Sequence, residues 1–298
     1  MKFVTYMVAG REMAGVLNRD ETWIYPISAA GMEYGTMLEM IRKAGASEME
    51  MLEYISGRAP YEVPGAAPVE EARILAPIPE PAQDVICLGI NYMDHAEEAA
   101  RFQKESFGQK AQAIYFSKRV NRATDPEGGI PAHENVTKQL DYEAELAVII
   151  GRDAADVPRE KVRDYLFGYT VLNDVSAREV QTGHSQWYFG KSLDGFTPMG
   201  PCILSADSVP FPPELDIRSR VNGEPRQESN TRLLIHGIED VVAELSAGMT
   251  LKAGTIIAMG TPAGVGMGFD PPRFLKPGDQ VECEIEGIGI LKNTIVEQ

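Results

Sequence analysis

Two glutamates one residue apart give the first chemical signal in this chain. They lie in Leu140 to Gly151, LDYEAELAVIIG. A strand repeats every two residues, so Glu143 and Glu145 project from one face while Tyr142, Ala144, Leu146, Val148 and Ile150 project from the other. The unbroken apolar run Leu146 to Ile150 is the pattern of a strand covered on both sides. Burying two like charges costs several kcal/mol unless a cation compensates. A bound cation is therefore the sharp expectation, and two solvated glutamates at the mouth of a strand are the bland one.

The neighbouring segments weigh toward the cation. Phe167 to Leu172 reads as another apolar strand and ends in Asn173-Asp174, which brings a third carboxylate to a strand end. Glu143, Glu145 and Asp174, with waters, suit a hard divalent ion such as Mg²⁺ or Mn²⁺, and a chain with four His and three Cys is poorly supplied for zinc. His95 and Glu98 are three apart after the strand-like Val85 to Gly89, so on a helix the carboxylate can orient the imidazole as a general base. A surface H-x-x-E pair that is merely solvated is the alternative. Lys191 reads most simply as a surface lysine; its place between aromatic Trp187 to Phe189 and apolar Phe196 offers the other reading, a partly buried ammonium that needs a carboxylate or substrate partner. In Gly260-Thr261-Pro262-Ala263-Gly264-Val265-Gly266 the Gly-Lys-Ser/Thr ending of a P-loop is missing, but the glycines let backbone N–H groups, or the Thr261 hydroxyl, approach a carboxylate.

The elements that must position these groups are legible around them. Residues 3–8, 13–17 and 22–27 read as strands. Helices follow at 35–44 and from Ser47, as part of the capping pattern Ser47-x-x-Glu50, to about Ser56. Prolines recur at 60, 64, 68, 77, 79 and 81, the composition of a linker over the surface. This predicts a small N-terminal α+β domain with linker over 1–78 and a catalytic domain over 79–298. Residues 99–113, with Lys104, Gly108 and Lys110, suit a mobile lid. Asn222-Gly223 marks a hairpin, and Ile238, Val241, Val242 and Leu245 give a helix stripe. The methionines crowded before residue 60 read as packing, Cys87 and Cys283 as small buried hydrophobes, and His133, His184 and His236 as structural or exposed.

A formal charge of −16 argues against a nucleic-acid partner, which needs a basic face. For a small anionic substrate it demands positive charge supplied within the site. No stretch approaches the roughly 18 apolar residues of a membrane span. The opening MKFVTYMVAG lacks a signal peptide's apolar core, and a cytoplasmic protein is expected.

In this order the motifs resemble the fumarylacetoacetate hydrolase family: Asn91-Tyr92-x-Asp94-His95-x-x-Glu98, LDYEAELAVIIG, Asn173-Asp174-Val175-Ser176-Ala177-Arg178 with Gln181, GKSLDGFTPMGP at 190–201, and GTPAGVG at 260–266. The resemblance runs from about residue 79 to the end. It implies an α+β, mainly β fold, with a mixed β-sandwich or β-roll catalytic domain behind a small N-terminal domain, commonly dimeric. It matches Glu143, Glu145 and Asp174 to metal ligands for Mg²⁺ or Mn²⁺, His95 and Glu98 to a catalytic pair, and Arg178, Gln181, Lys191 and Thr261 to positions that bind or polarise substrate. Asn91 stands where members cleaving fumarylacetoacetate itself carry a further metal-binding aspartate, and Glu179 and Gly195 also depart from common residues. The implied chemistry starts from a 2-oxo acid with a β-carbonyl group, whose enolate the metal stabilises. Acylpyruvate or diketo-acid hydrolysis is the first expectation, with oxaloacetate decarboxylation or keto-enol tautomerisation as alternatives. A non-catalytic binding protein of the same fold is the remote one.

Overall fold

In a computed structural model, which describes residues 1–103 and 112–297, the chain is built on one long mixed sheet. Its strands run in the order Ala67–Pro68, Trp23–Pro26, Arg11–Leu17, Lys2–Val8, Met199–Ser205, Leu166–Asn173, Ala144–Ile150, Ile256–Ala258, Val85–Gly89 and Ile114–Lys118, and Arg73–Leu75 also pairs with Lys2–Val8. A second sheet orders Glu224–Asn230, Asp216–Val221, Gln280–Ile285, Gly289–Val296 and Gly129–Pro131. Its first two strands meet at the expected Asn222-Gly223 turn, where both residues have positive φ.

The alternation in Ala144–Ile150 determines how these layers stack. Ala144, Leu146, Val148 and Ile150 belong to the core shared with Ile217, Val281, Cys283, Ile285 and Leu291 of the second sheet. Ala147 and Ile149 point the other way, into a core completed by Met37, Met40, Ile41, Leu52 and Ile55 of the helices Met37–Lys43 and Ala46–Ser56. The fold is α+β and mainly β, a sandwich with helices on its outer face, and both faces of the central strand are buried.

Several local expectations need correction. The strand read as continuous from Leu140 is broken: Leu140–Asp141 pairs with Ser176–Ala177, and the main strand starts at Ala144, so Glu143 sits in the gap. The second helix begins at Ala46, where the Gly45 N–H donates to Glu48 Oε2 (2.8 Å), rather than with Ser47 as its cap. The proline-rich stretch does not simply cross the surface, because Leu75 to Pro79 is buried. Met51 is exposed, while Met32, Met37 and Met40 are core residues. Of the lid expected over residues 99–113, residues 99–103 form the end of the helix Met93–Gln103, and Lys104, Gly108 and Lys110 lie outside the described residues. Among the described residues no helix is long and apolar enough to cross a membrane.

The N-terminal strands do not form a sheet of their own. Lys2 and Phe3 pair with Leu204 and Ile203, and Phe3 packs on Phe167 with ring centroids 5.0 Å apart. We propose residue 78 as the seam of a frontal segment that shares its core with the rest, not as the limit of an independently folding unit. Removing residues 1–78 exposes Leu172, Ile203 and Ile149, which at about 1.5–3 kcal/mol per uncovered side chain amounts to several kcal/mol. A chain beginning at residue 79 is expected to melt at least about 10 °C below the full protein or to aggregate. A calorimetric midpoint within a few degrees of the full chain would show that the seam separates two domains.

Candidate metal centre

Three chain segments end together beside the broken strand. Ala144 pairs with Asn173 on one edge and Ala147 with Ala258 on the other, so Asp174 and the loop from Gly260 both emerge next to Glu143 and Glu145. Side chains complete the ladder where it fails. Asn173 Oδ1 accepts from the Glu143 N–H (3.0 Å), Gln227 Oε1 accepts from the Ala144 N–H (3.1 Å), and the Thr261 hydroxyl donates to the Ala144 carbonyl (2.9 Å). One ligand atom from each of Glu143, Glu145 and Asp174 can be chosen so that all lie within 4.8 Å of one another. All three residues are buried.

Cations surround this triad on one side. Lys191 Nζ donates to Glu143 Oε2 (2.8 Å) and Asp174 Oδ2 (2.7 Å), and Arg178 Nη1 donates to Glu143 Oε1 (2.5 Å). Arg178 is shared, since its Nε donates to Asp141 Oδ2 at 2.8 Å and its Nη1 also to Gln181 Oε1 at 3.1 Å. Lys118, which the sequence reading missed, is wholly buried, with Nζ 2.7 Å from Asp174 Oδ1. It also donates to the carbonyls of Val175 (3.0 Å) and Lys191 (2.5 Å). Burial pushes the Lys118 ammonium down, with Asp174 opposing. For Lys191, Asp174 and Glu143 outweigh burial and raise it.

Four buried carboxylates thus face three cations, and the shortfall falls on Glu145. Burial works against the charged form of Glu143, but Lys191 and Arg178 overcome it and hold that carboxyl below its ordinary range. Glu145 accepts from the Gly260 N–H (2.8 Å), and burial together with the charges of Asp174 and Glu143 pushes it well above its ordinary range. Oxygen donors at this spacing, one of them under-compensated, fit a hard divalent cation.

The glycine loop holds carboxylates with its backbone, as its composition suggests. Gly260 serves Glu145, the Gly264 N–H donates to Glu98 Oε1 (3.0 Å), and the N–H groups of Gly266 and Met267 donate to Asp141 at 2.7 and 3.0 Å. The Thr261 hydroxyl does not reach a carboxylate: it donates to Ala144 and accepts from Gln227 Nε2 (2.7 Å). Glu98 Oε2 lies 3.0 Å from His95 Nδ1, and both residues are buried. His95, Gln181, Lys191, Arg178 and Thr261 line one cavity with Glu143 and Glu145; its free volume of about 20 Å³ is room for a water-sized group. Arg178 Nη2 is buried there without a partner.

Glu179 and Gly195 stand outside that lining. Glu179 accepts from the Lys138 N–H (2.6 Å) and the Thr137 hydroxyl (2.8 Å), while a Cβ on Gly195 would meet Pro131 at 2.5 Å. His133 and His184 bond the carbonyls of Asp194 and Val180, and His236 bonds Asn91 through its backbone, in keeping with structural roles.

Residues 84–296 match the family model for the C-terminal region of fumarylacetoacetate hydrolase. Over 231 residues the chain is 43% identical to a Bacillus subtilis protein named oxaloacetate tautomerase YisK, covering 76% of this chain and 74% of the relative. Among solved structures it is similar to a fumarylacetoacetate hydrolase from Exiguobacterium antarcticum, with 35% identity, a TM-score of 0.84 and full coverage of both chains. It is also similar to a 5-carboxymethyl-2-hydroxymuconate delta-isomerase from Mycobacterium smegmatis, with 29% identity, a TM-score of 0.75 and full coverage of both.

The charge imbalance predicts opposite outcomes for two substitutions in EDTA-treated protein. Lys118→Met leaves Asp174 under-compensated and is expected to cost about 3–5 kcal/mol. Glu145→Gln keeps an acceptor for Gly260 and removes a repelled charge, so it should leave the melting temperature unchanged or raise it. It should also abolish the rise expected of the wild-type protein on adding a divalent cation, about 2.7 kcal/mol at a hundredfold excess over Kd. Thermal melts with and without metal test both; an unaltered metal-dependent rise in Glu145→Gln would contradict the assignment.

Proposed function

The chain belongs to the fumarylacetoacetate hydrolase family, and from that membership we propose that it catalyses keto-enol tautomerisation of a short 2-oxo acid bearing a β-carbonyl group, oxaloacetate being the leading candidate. The observation that carries this reading is the buried His95–Glu98 pair, which faces the cavity lined by Glu143, Glu145 and Lys191 and is fixed by the Gly264 N–H. Family members are enzymes, and the 43% identical relative is named for this conversion.

Glu143, Glu145 and Asp174 would hold Mg²⁺ or Mn²⁺, which when bound supplies a Lewis acid for the carboxylate and keto oxygens of such an acid. The chain's own groups do the rest. Lys191 and the free Nη2 of Arg178 place positive charge and N–H donors beside the substrate's oxygens. Gln181 orients Arg178, and Thr261 fixes the wall by tying Gln227 to Ala144. His95, held by Glu98, takes the proton from the enol oxygen and delivers it to C3 as the keto form appears; in the reverse direction it removes the C3 proton and returns it to the oxygen. Burial of the pair excludes bulk water from competing for that proton.

Hydrolysis of an acylpyruvate or diketo acid is the second reading, supported by the 35% identical structure described as a fumarylacetoacetate hydrolase. There the same imidazole would activate water against the distal carbonyl. Oxaloacetate decarboxylation draws on the same cations without needing a base. The reading includes a homodimer, supported by exposed Met93, Leu233 and Ile235; the Ile235 N–H donates to the Asn91 carbonyl (2.8 Å), which brings these apolar groups beside the catalytic helix.

The decay of enol absorbance of oxaloacetate, carbon dioxide release and loss of acylpyruvate absorbance separate the three reactions. His95→Ala is expected to lower enol–keto conversion by about 10²–10⁴-fold, with the metal-induced rise in melting temperature retained. Carbon dioxide release, if present, should fall less. Conversion within tenfold of wild type in His95→Ala would remove the imidazole from the mechanism.

A further inference from the structure

The groups lining the cavity divide by polarity. At the polar end Arg178, Gln181 and Lys191 are tied to Glu143 and Asp174 by bonds of 2.5–3.1 Å, and the remaining wall consists of Leu88, Gly89, Ile90, Ala99, Phe116, Trp187 and Met267. A 2-oxo acid bound with its carboxylate and keto oxygens at the polar end must direct its tail toward this apolar wall.

Trp187 differs from the other wall residues. Leu88 belongs to the core between the sheets, Ala99 and Met267 pack with Val265 and Ile90, and Phe116 packs against the outer core. The indole of Trp187 belongs to none of these clusters and is partly exposed in an otherwise exposed stretch from Thr182 to Phe189. It nevertheless lies tightly against the wall. A Cβ at Gly89 would stand 2.4 Å from its Cζ3 and 2.9 Å from its Cη2, and its ring meets Phe116 edge-on at 5.3 Å. Phe116 in turn lies under Lys191 Nζ, 5.2 Å from the ring centroid. The Trp187 carbonyl accepts the Lys191 N–H (3.2 Å), so the turn that presents the ammonium also presents the indole.

We propose that Trp187 determines specificity by limiting the length of the substrate's tail, so that the enzyme discriminates among 2-oxo acids by what extends beyond the keto carbon, and that Gly89 is the recess that lets the indole lie close. The free room of about 20 Å³ suits a water-sized group, so a substrate's tail has to displace part of the wall, and the part-exposed indole, outside the packed clusters, is the group placed to resist or yield. The proposal rests on the function stated above, and its test separates the two.

Calorimetric binding of pyruvate, 2-oxobutanoate, 2-oxopentanoate and 2-oxohexanoate, with Mn²⁺ present, reads the length limit without turnover. Wild-type protein should lose about tenfold or more in affinity per methylene beyond the limit. Trp187→Ala should bind 2-oxohexanoate at least tenfold more tightly than wild type, with pyruvate changed much less, and Trp187→Phe should fall between. Gly89→Ala should move the limit the other way by driving the indole into the cavity. The chain has two tryptophans, so in Trp23→Phe the remaining emission reports Trp187, and pyruvate should change it. Parallel length profiles in wild type and both Trp187 variants, or emission indifferent to a bound oxo acid, would overturn the role of Trp187 alone. Absence of binding by any of these acids to any variant would overturn the functional reading and this proposal with it.

Discussion

Carboxylates can be buried in this protein because nearly every one has an assigned donor, and the loop Gly260 to Met267 supplies most of the backbone share. Its N–H groups reach Glu145, Glu98 and Asp141 in turn, three residues drawn from two distant segments of the chain. An N–H neutralises nothing formally, but it stabilises the ionised form without introducing a side chain that would fill the cavity. Lys118, Lys191 and Arg178 then have to cover only part of the charge. The arrangement leaves Glu145 as the carboxyl least compensated, which is where an added cation gains most.

The sandwich makes that arrangement possible. A strand buried on both faces offers no solvent to a charge, so polar groups have to gather where the strand stops. Ala144–Ile150 stops beside Asp174 and Gly260 because its two neighbours end at the same level. Gln227, reaching across from the second sheet, closes the gap by bonding Ala144, Thr261 and Ser219 together. The site therefore depends on the packing of one sheet against the other as much as on its own residues.

Much of this was legible from period-two reasoning. Glu143 and Glu145 on one parity and Tyr142, Ala144, Leu146, Val148 and Ile150 on the other fall as the sequence indicates, with the apolar parity in the inter-sheet core. The parity of the glutamates includes Asp141, and following it one step back would have found the partner of Arg178. Lys118 had a weaker signal, a lysine closing the apolar run Ile114 to Phe116, which needs a partner if the strand is internal. The joining of Lys2–Val8 to Met199–Ser205 had none, because pairing between strands some two hundred residues apart depends on which sheet edge is left open, and local pattern carries no information on that. For the same reason the proline-rich stretch looked like a linker although Leu75 to Pro79 lies under the outer core.

Asn91 shows how a departure from the family's pattern becomes necessary once its surroundings are fixed. Its side-chain amide donates to the carbonyls of Met259 (2.8 Å) and His236 (3.1 Å), and its oxygen accepts from the His236 N–H (2.8 Å). The Met259 carbonyl belongs to the same peptide group whose N–H, on Gly260, holds Glu145. Gly260 sits at φ +90°, where a Cβ would also collide with Asn91 at 2.7 Å, so side chain and loop are fitted to each other. An aspartate here would remove both donors, take their partner from the buried Met259 carbonyl and the part-buried His236 carbonyl, and add a fifth carboxylate to a cluster already short of positive charge. The asparagine is thus committed to orienting the peptide that holds Glu145, and the proposed cation would have three carboxylates to bind rather than four.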